Sequence, residues 1–204
     1  MIKQNTLLII VWIIYICSDY YILPYFVRPF LWLLICLVLL GIFLKQAIKL
    51  FKERKNIKHG RLLTFMTAFF LSGLTFYNIN ALPRALMEKM DWMILYQKRR
   101  QIVTEVLHGQ LKPNTTLHNG ICRLPFTFPI VSNGGNDIWI AENKTKSTKT
   151  IKFWISRNFF DAPQDYFVFT NDNETLQYYR KLIKVRPQHN RQLDNNWFRV
   201  TERE

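Results

Sequence analysis

Residues 29–44, PFLWLLICLVLLGIFL, contain no charged side chain and decide how the first part of the chain folds. A bilayer core of about 30 Å needs roughly 20 apolar residues in a helix, with about 17 as a lower limit. The block is short, but Ile48 and Phe51 extend it, and Lys45 and Lys49 can reach the headgroups along their aliphatic stems. Pro29 suits the first helical turn, where its missing N–H is not needed. We therefore expect a transmembrane helix over about 29–48.

Two further apolar blocks, 7–23 and 62–82, lie on either side of the first. The sequence predicts three transmembrane helices, at about 5–23, 29–48 and 62–82, within a membrane domain of residues 1–83. One alternative is that the three blocks are buried core helices of a soluble protein. Another is that the first block is a signal peptide, although the small residues of a cleavage site are missing after it. We expect this helix to be retained.

A strongly basic loop separates the second block from the third, and it indicates an orientation. Loops rich in Lys and Arg stay on the cytoplasmic side of a membrane. The loop 49–61 is therefore predicted to be cytoplasmic, which gives a multi-pass plasma-membrane protein with a cytoplasmic N-terminus and residues 84–204 outside. The basic residues of the loop and its flank are Lys45, Lys49, Lys52, Arg54, Lys55, Lys58 and Arg61.

The distribution of charge argues against a nucleic-acid partner. The formal net charge is +14, a value that by itself would suggest nucleic-acid binding. Residues 1–61 carry net +7, however, residues 62–110 net +2 and residues 111–204 net +5. Half of the excess positive charge thus lies in residues 1–61, where the basic loop that sets the membrane orientation and contact with anionic lipid explain it. The lipid bilayer is the predicted partner, and the C-terminal part is only mildly basic.

The segment after the third block begins with a helical pattern. Ile102, Val103 and Val106 recur at helical spacing in a predicted helix over 86–107, while Lys98 and Arg99 are expected on its polar face. Gly109 suits the left-handed position that ends a helix.

Strand patterns follow this helix. Alternation is clearest at 150–155, where Ile151 and Phe153 should face one way and Lys152 and Trp154 the other. Asp172 can cap a short helix over 174–183. The predicted fold class is an α+β membrane protein, with three transmembrane helices followed by an extracytoplasmic helix and a small antiparallel sheet. The predicted strands are 127–131, 138–142, 150–155, 166–170 and 197–201.

Residues 98–201 resemble the extracytoplasmic C-terminal region of a group of small bacterial membrane proteins and lipoproteins. The resemblance is carried by Leu124-Pro125, by the turn 132–135, by the aromatic segment 153–160 and by LDNNWFRV at 193–200. It implies an extracytoplasmic position but no activity, and it brings no catalytic residue with it. The order of a membrane helix, a second helix and a sheet is also similar to a pilin in outline, without the processing motif.

The sequence contains no recognisable catalytic or metal-binding motif. No two His residues stand four apart, so the helical zinc motif is missing, and no cofactor or metal is predicted. Ser132 precedes two glycines but lacks the Gly-x-Ser-x-Gly order of a nucleophile turn. Asp161 and Asp165 could form a carboxylate pair, although a polar loop explains them better. An outer-face hydrolase is accordingly the weakest functional hypothesis.

Arg157, Phe159, Phe160 and Trp197 form the candidate partner-binding site. An Arg beside exposed aromatic side chains is the composition of a binding hot spot. The alternative is that the aromatic residues belong to the core and that Arg157 pairs with Asp161.

The leading functional hypothesis is an integral membrane protein, not an enzyme, whose C-terminal domain binds or senses a protein partner at the cell surface. An immunity-type or envelope-maintenance protein is the alternative. Asn78 and Asn80 could form hydrogen bonds between helices, which leaves homo-oligomers open.

Overall fold

The structure is a computed structural model that divides between Lys89 and Met90 into two compact units. We call residues 1–89 the helical unit and residues 90–204 the α/β unit. Within the described residues the chain forms five helices and one six-stranded antiparallel sheet. The residues that the structure describes are 2–23, 26–53, 58–76, 81–116, 119–133, 135–143, 145–156 and 163–202.

Three helices and the start of a fourth build the helical unit: α1 (Ile2–Tyr21), α2 (Arg28–Lys52), α3 (His59–Phe76) and α4 (Ala81–Leu107). Thr75 of α3 connects the first three. Its hydroxyl accepts a hydrogen bond from the Trp12 indole at 3.0 Å, and its carbonyl accepts one from the Trp32 indole at 3.3 Å. The indole N–H groups of Trp12 and Trp32 are partly buried, and each forms a hydrogen bond, as buried donors generally do.

The outer surface of the helical unit is apolar. Small and polar residues such as Thr64, Ala68 and Thr75 are buried, whereas most of the large apolar side chains are exposed. A water-soluble bundle buries its large apolar residues instead, so this arrangement is the reverse of the usual one. The exposed side chains include Leu7, Ile10, Ile14, Phe30, Leu34, Leu37, Ile48, Leu63 and Phe70.

The prediction of three transmembrane helices was wrong. Of the described helices, only α2 is long and apolar enough to cross a membrane, and a signal sequence near an N-terminus would have the same length and composition. The described apolar part of α1 is shorter, from Asn5 to Tyr21, and it carries Asp19. α3 begins with His59 and Arg61, and four of the residues predicted for this helix, 77–80, are outside the described part of the chain. A multi-pass topology is therefore not supported.

The α/β unit is built on the sheet, whose strands lie in the order β1-β2-β3-β4-β6-β5. The strands are β1 (Ile121–Arg123), β2 (Asp137–Asn143), β3 (Thr148–Ser156), β4 (Gln164–Thr170), β5 (Arg191–Asp194) and β6 (Trp197–Glu202). Helix α5 (Asn173–Val185) connects β4 to β5. The alternating segment 150–155 lies within β3, and the segments 138–142, 166–170 and 197–201 lie within β2, β4 and β6.

Each face of this sheet packs against a helix. On one face, Trp92 of α4 contacts Phe167 and Trp197, with ring centroids 5.0 and 5.3 Å apart. On the other face, Leu176 and Tyr179 of α5 join a core cluster with Trp154, Tyr166, Val168, Phe198 and Val200. The α/β unit thus buries large aromatic residues in two layers, one on either side of the sheet.

Arg99 lies in the first of these layers, so its predicted place on the polar face of α4 was wrong. The side chain is 1% exposed and donates hydrogen bonds to the Asp91 carboxylate at 2.6 Å and to the Val131 carbonyl at 2.9 Å. Its guanidinium also lies 4.6 Å from the centroid of the Phe167 ring. A buried charge of this kind is tolerated because it is paired and hydrogen-bonded.

The predicted strand over 127–131 was also wrong, since this segment forms an irregular loop. Asn136 organises the loop from a backbone with φ of 56°. Its side-chain oxygen accepts a hydrogen bond from the Val131 N–H at 2.8 Å, and its amide donates one to the Pro129 carbonyl at 2.9 Å. In a strand, these backbone groups would form hydrogen bonds with a neighbouring strand. Here they form hydrogen bonds with the side chain of Asn136 instead.

Candidate functional site

The described residues of the α/β unit form an open cleft of about 690 Å³. It lies between the hairpin that joins β2 to β3 and the first turns of α5. Its walls are mostly side chains that carry oxygen atoms. The lining residues are Ala141, Glu142, Asn143, Thr145, Thr148, Thr150, Asp172, Glu174, Thr175 and Tyr178. We call this surface the threonine cleft.

The turn of the hairpin forms the outer wall of the threonine cleft. The Thr145 hydroxyl donates to the Asn143 side-chain oxygen at 2.6 Å, and the Lys146 N–H donates to the Asn143 carbonyl at 3.2 Å. Lys146 then reaches across to Glu174 of α5, at 2.6 Å. This ion pair connects the two walls at the rim, where both partners are well exposed.

Asp172 forms the base of the opposite wall as the N-cap of α5. Its carboxylate accepts three hydrogen bonds, from the Thr175 N–H at 2.9 Å, the Thr175 hydroxyl at 2.8 Å and the Thr148 hydroxyl at 3.0 Å. The bonds to Thr175 hold the pKa of this carboxyl below its usual value, because they favour the charged form. Asp172 is therefore a structural cap that also fixes the hairpin to the helix.

The segment before α5 is fastened to β3 as well. The Lys149 N–H donates to the Asn171 side-chain oxygen at 2.7 Å, and the Asn171 N–H donates to the Lys149 carbonyl at 3.2 Å. Below them the hydroxyls of Thr150 and Thr170 lie 2.8 Å apart. These contacts make the floor of the threonine cleft rigid, which favours binding because little side-chain freedom is lost when a ligand arrives.

The chemistry of the threonine cleft suits a polar ligand. Hydroxyl, amide and carboxylate oxygens of the described residues line it, and Lys146 stands at the rim in its ion pair with Glu174. Tyr178 adds an aromatic ring at the edge, 54% exposed, that can cover an apolar part of a ligand. Glu142 and Glu174 bring carboxylates to the walls, each beside a lysine, Lys149 at 4.0 Å and Lys146 at 2.6 Å.

Of the four residues predicted from sequence as a partner-binding site, the structure describes only Trp197. Arg157, Phe159 and Phe160 are outside the described residues, as are Asp161, Asn78 and Asn80. Trp197 is only 3% exposed and packs against Trp92 and Phe169. It belongs to the core, as the alternative interpretation expected for the aromatic residues, and the binding role of the other three stays a prediction.

Ser132, considered as a nucleophile, has a structural position. It is fully buried, its hydroxyl donates to the Asp137 carbonyl, and it accepts a hydrogen bond from the Trp154 N–H at 3.0 Å. Asp165, considered as half of a carboxylate pair, accepts hydrogen bonds from Ser156 and Thr201 and pairs with Arg199 at 3.0 Å. These contacts explain both residues as part of the fold.

The described residues offer no group of side chains for a metal ion, and the one cysteine of the α/β unit is not activated. No group of three or more His, Cys, Asp and Glu side chains that could hold a metal ion occurs among the described residues. Cys122 is buried in β1, and burial raises the pKa of its thiol, so the reactive thiolate is disfavoured.

Sequence reasoning missed the threonine cleft, although one signal was present. Three threonines stand between Asn143 and Lys152, in a stretch that we interpreted only as a turn and a strand. Their position beside Asp172 depends on the crossing from β4 to α5, which no local pattern reveals.

No protein-family model, curated protein or solved structure matches this chain. The resemblance of residues 98–201 to bacterial membrane proteins and lipoproteins therefore stays a prediction.

Proposed function

We propose that this chain is a membrane-attached binding protein, with α2 as the membrane segment and the α/β unit as the binding module. The proposal is supported by the length and composition of α2 and by the exposure of its large apolar side chains. The binding role is supported chiefly by the threonine cleft, a polar concavity that the fold itself forms. Asp172 in this cleft serves as the N-cap of α5, which is a structural role rather than a catalytic one. Binding rather than catalysis is also consistent with the structural positions of Ser132 and Asp165.

The ligand of the threonine cleft would be a neutral or basic polar group of a protein partner at the membrane. Such a group can donate hydrogen bonds to the carboxylate and amide oxygens of the walls, and can accept them from the threonine hydroxyls. The volume of about 690 Å³ is within the range of small-ligand pockets and would hold one or two side chains of a partner.

Site-specific crosslinking tests this binding role. A photoreactive benzoyl-phenylalanine at Tyr178 of the full-length protein should capture a specific partner, whereas the same group at Lys184, which is also exposed on α5, should not. A second substitution, Thr145→Arg, places a long cationic side chain in the threonine cleft and should abolish the capture. The matched control is Thr127→Arg, at an exposed loop position away from the cleft, and it should have no effect. Equal capture in both arginine variants would contradict the proposed site.

A single crossing at α2 also has a consequence for the position of the α/β unit. Lys45, Lys49 and Lys52 lie near the C-terminal end of α2, and Lys58 and Arg61 follow it. The positive-inside rule places this end in the cytoplasm, and with one crossing the α/β unit lies there too. The extracytoplasmic position expected from sequence required three crossings.

Protease added to intact spheroplasts tests the side directly. A single crossing predicts that residues 90–204 are protected until the membrane is opened. Digestion of this unit in intact spheroplasts would contradict a single crossing.

A further inference from the structure

The exposed side of α4 within the α/β unit carries an apolar surface that the fold does not use. Met93 and Ile94 are 61% and 69% exposed, and Met90 is also exposed. At helical spacing these three lie on one side of α4. The opposite side carries Asp91 and Arg99, which are both buried. The packing of the α/β unit therefore leaves the apolar side of α4 in solvent.

An aromatic loop adds to this surface. Phe128 is 83% exposed, the highest value among the exposed large apolar residues in the described part of the chain. Lys98 places the loop beside α4, because its ammonium lies 5.0 Å from the centroid of the Phe126 ring. Lys98 is one turn after Ile94, so Phe126 stands near the same side of the helix, and Phe128 follows it in the same loop two residues later. Large exposed apolar patches on proteins mark interaction sites.

Basic residues border the apolar ones. Lys98 and Arg100 both follow Ile94 within two turns, and Arg100 is exposed. The combination of exposed Met, Ile and Phe side chains with Lys and Arg at the edge is that of segments that lie in the headgroup region of an anionic membrane. The apolar tips enter the upper acyl region, and the amines and guanidinium remain with the lipid phosphates.

We propose that Met90, Met93, Ile94 and Phe128 dock the α/β unit onto the surface of an anionic bilayer, with Lys98 and Arg100 on the lipid phosphates. We call these six residues the docking surface. Lys98 and Arg100 would attract anionic lipid, but they would repel the same two residues on a second copy of this chain. Charge complementarity therefore favours a lipid surface. The inference extends the proposed membrane attachment from α2 to the α/β unit.

Docking of this kind would hold the threonine cleft close to the bilayer plane. The cleft and the docking surface do not share residues, so each can be changed separately. The docking surface would thereby restrict the partner to one that also resides at the membrane.

Fluorescence quenching by labelled lipid tests this inference on the full-length protein. Bimane is attached to Ile94→Cys or Phe128→Cys in a Cys17→Ala, Cys36→Ala background, and Cys122 is kept because it is buried. The control label is at Gln177→Cys, which is exposed on α5 on the other face of the sheet. The protein is reconstituted in phosphatidylcholine vesicles with 30% phosphatidylglycerol, in which some lipids carry a brominated acyl chain.

Quenching is expected at positions 94 and 128 and not at 177. It should fall in pure phosphatidylcholine and in high salt, because the attraction to phosphate is screened. Lys98→Glu with Arg100→Glu should lower the ratio of docked to undocked protein by about thirtyfold or more, since each basic residue near the surface contributes about 1 kcal/mol.

Three results would overturn the inference. The first is equal access of water-soluble iodide to all three labels in anionic vesicles. The second is equal quenching with and without phosphatidylglycerol. The third is self-quenching between labels at position 94 of two molecules without quenching by lipid, which would assign the surface to a second copy. Retention of the protein in the vesicles separates these outcomes from a failure of α2, because loss of α2 insertion would release the whole chain.

Discussion

The helical unit and the α/β unit distribute the same kinds of side chain in opposite ways. In the helical unit Phe30 and Leu37 are exposed while Thr64 and Thr75 are buried. In the α/β unit Phe153, Phe167 and Phe198 are buried, and most charged side chains are exposed. Burial of large apolar side chains away from water stabilises a fold, so the two distributions suit different surroundings. We propose that the exposed apolar side chains of α2 lie in the membrane that this helix crosses, whereas the α/β unit has the side-chain distribution of a domain surrounded by water.

The largest contrast is expected between two phenylalanines. Phe198→Ala removes a fully buried ring from the core cluster and should lower the free energy of unfolding of the α/β unit by about 3–5 kcal/mol. Phe30→Ala removes a ring that is 73% exposed and should leave the stability of the protein in detergent almost unchanged. Chemical denaturation followed by circular dichroism measures both. Similar losses in the two variants would contradict the opposite placement of large apolar side chains in the two units.

The buried ion pair should give the next largest effect. Asp91→Ala leaves the Arg99 guanidinium without its carboxylate partner in a buried position, which should cost about 3 kcal/mol. The double variant Asp91→Leu, Arg99→Met removes both charges together and should recover most of this loss. Denaturant midpoints of the single and the double variant provide the test, and an equally unstable double variant would show that packing rather than charge is responsible.

A smaller and pH-dependent effect is expected at the N-cap of α5. Because the pKa of Asp172 is lowered in the folded protein, its carboxylate stabilises the fold above the unfolded pKa of about 3.9. This stability is lost as the pH falls through the lowered folded pKa. Asp172→Asn keeps a capping oxygen but does not titrate, so it should lower Tm by a few degrees at pH 7 and by less near pH 2. A difference in Tm that is constant over this range would contradict the argument.

The smallest effect is expected at the rim of the threonine cleft. Glu174→Gln removes one partner of the exposed ion pair with Lys146, and such pairs contribute little because water and salt screen them. Tm should remain within the scatter of repeated measurements, which makes this variant a control for Asp172→Asn in the same turn of α5. A drop as large as that of the cap variant would show that the hairpin and the helix are joined mainly at this pair.

Local signals in the sequence predicted some elements well. The alternation around Ile151 and Phe153 lies within β3, and the cap predicted at Asp172 begins α5. Gly109 has a φ of 72°, in the left-handed conformation that was expected after the end of α4. Each of these features depends on neighbours within a few residues, so a local pattern contains the necessary information.

Features that depend on distant residues could not be predicted in the same way. Lys98, Arg99 and Arg100 have similar side chains in sequence, yet Arg99 alone is buried, because Asp91 and the distant Val131 carbonyl supply its partners. The threonine cleft likewise requires the β2–β3 hairpin to meet the start of α5. Membrane crossings were overestimated because the described apolar part of α1 spans only Asn5–Tyr21 and α3 begins with His59 and Arg61.

Alkaline extraction of isolated membranes tests the claim that α2 anchors the chain in the bilayer. Carbonate at high pH removes proteins that are bound only at the surface and leaves those with an inserted helix. If α2 crosses the bilayer as proposed, the full-length chain remains in the membrane pellet after extraction. Its complete release into the supernatant would contradict the claim.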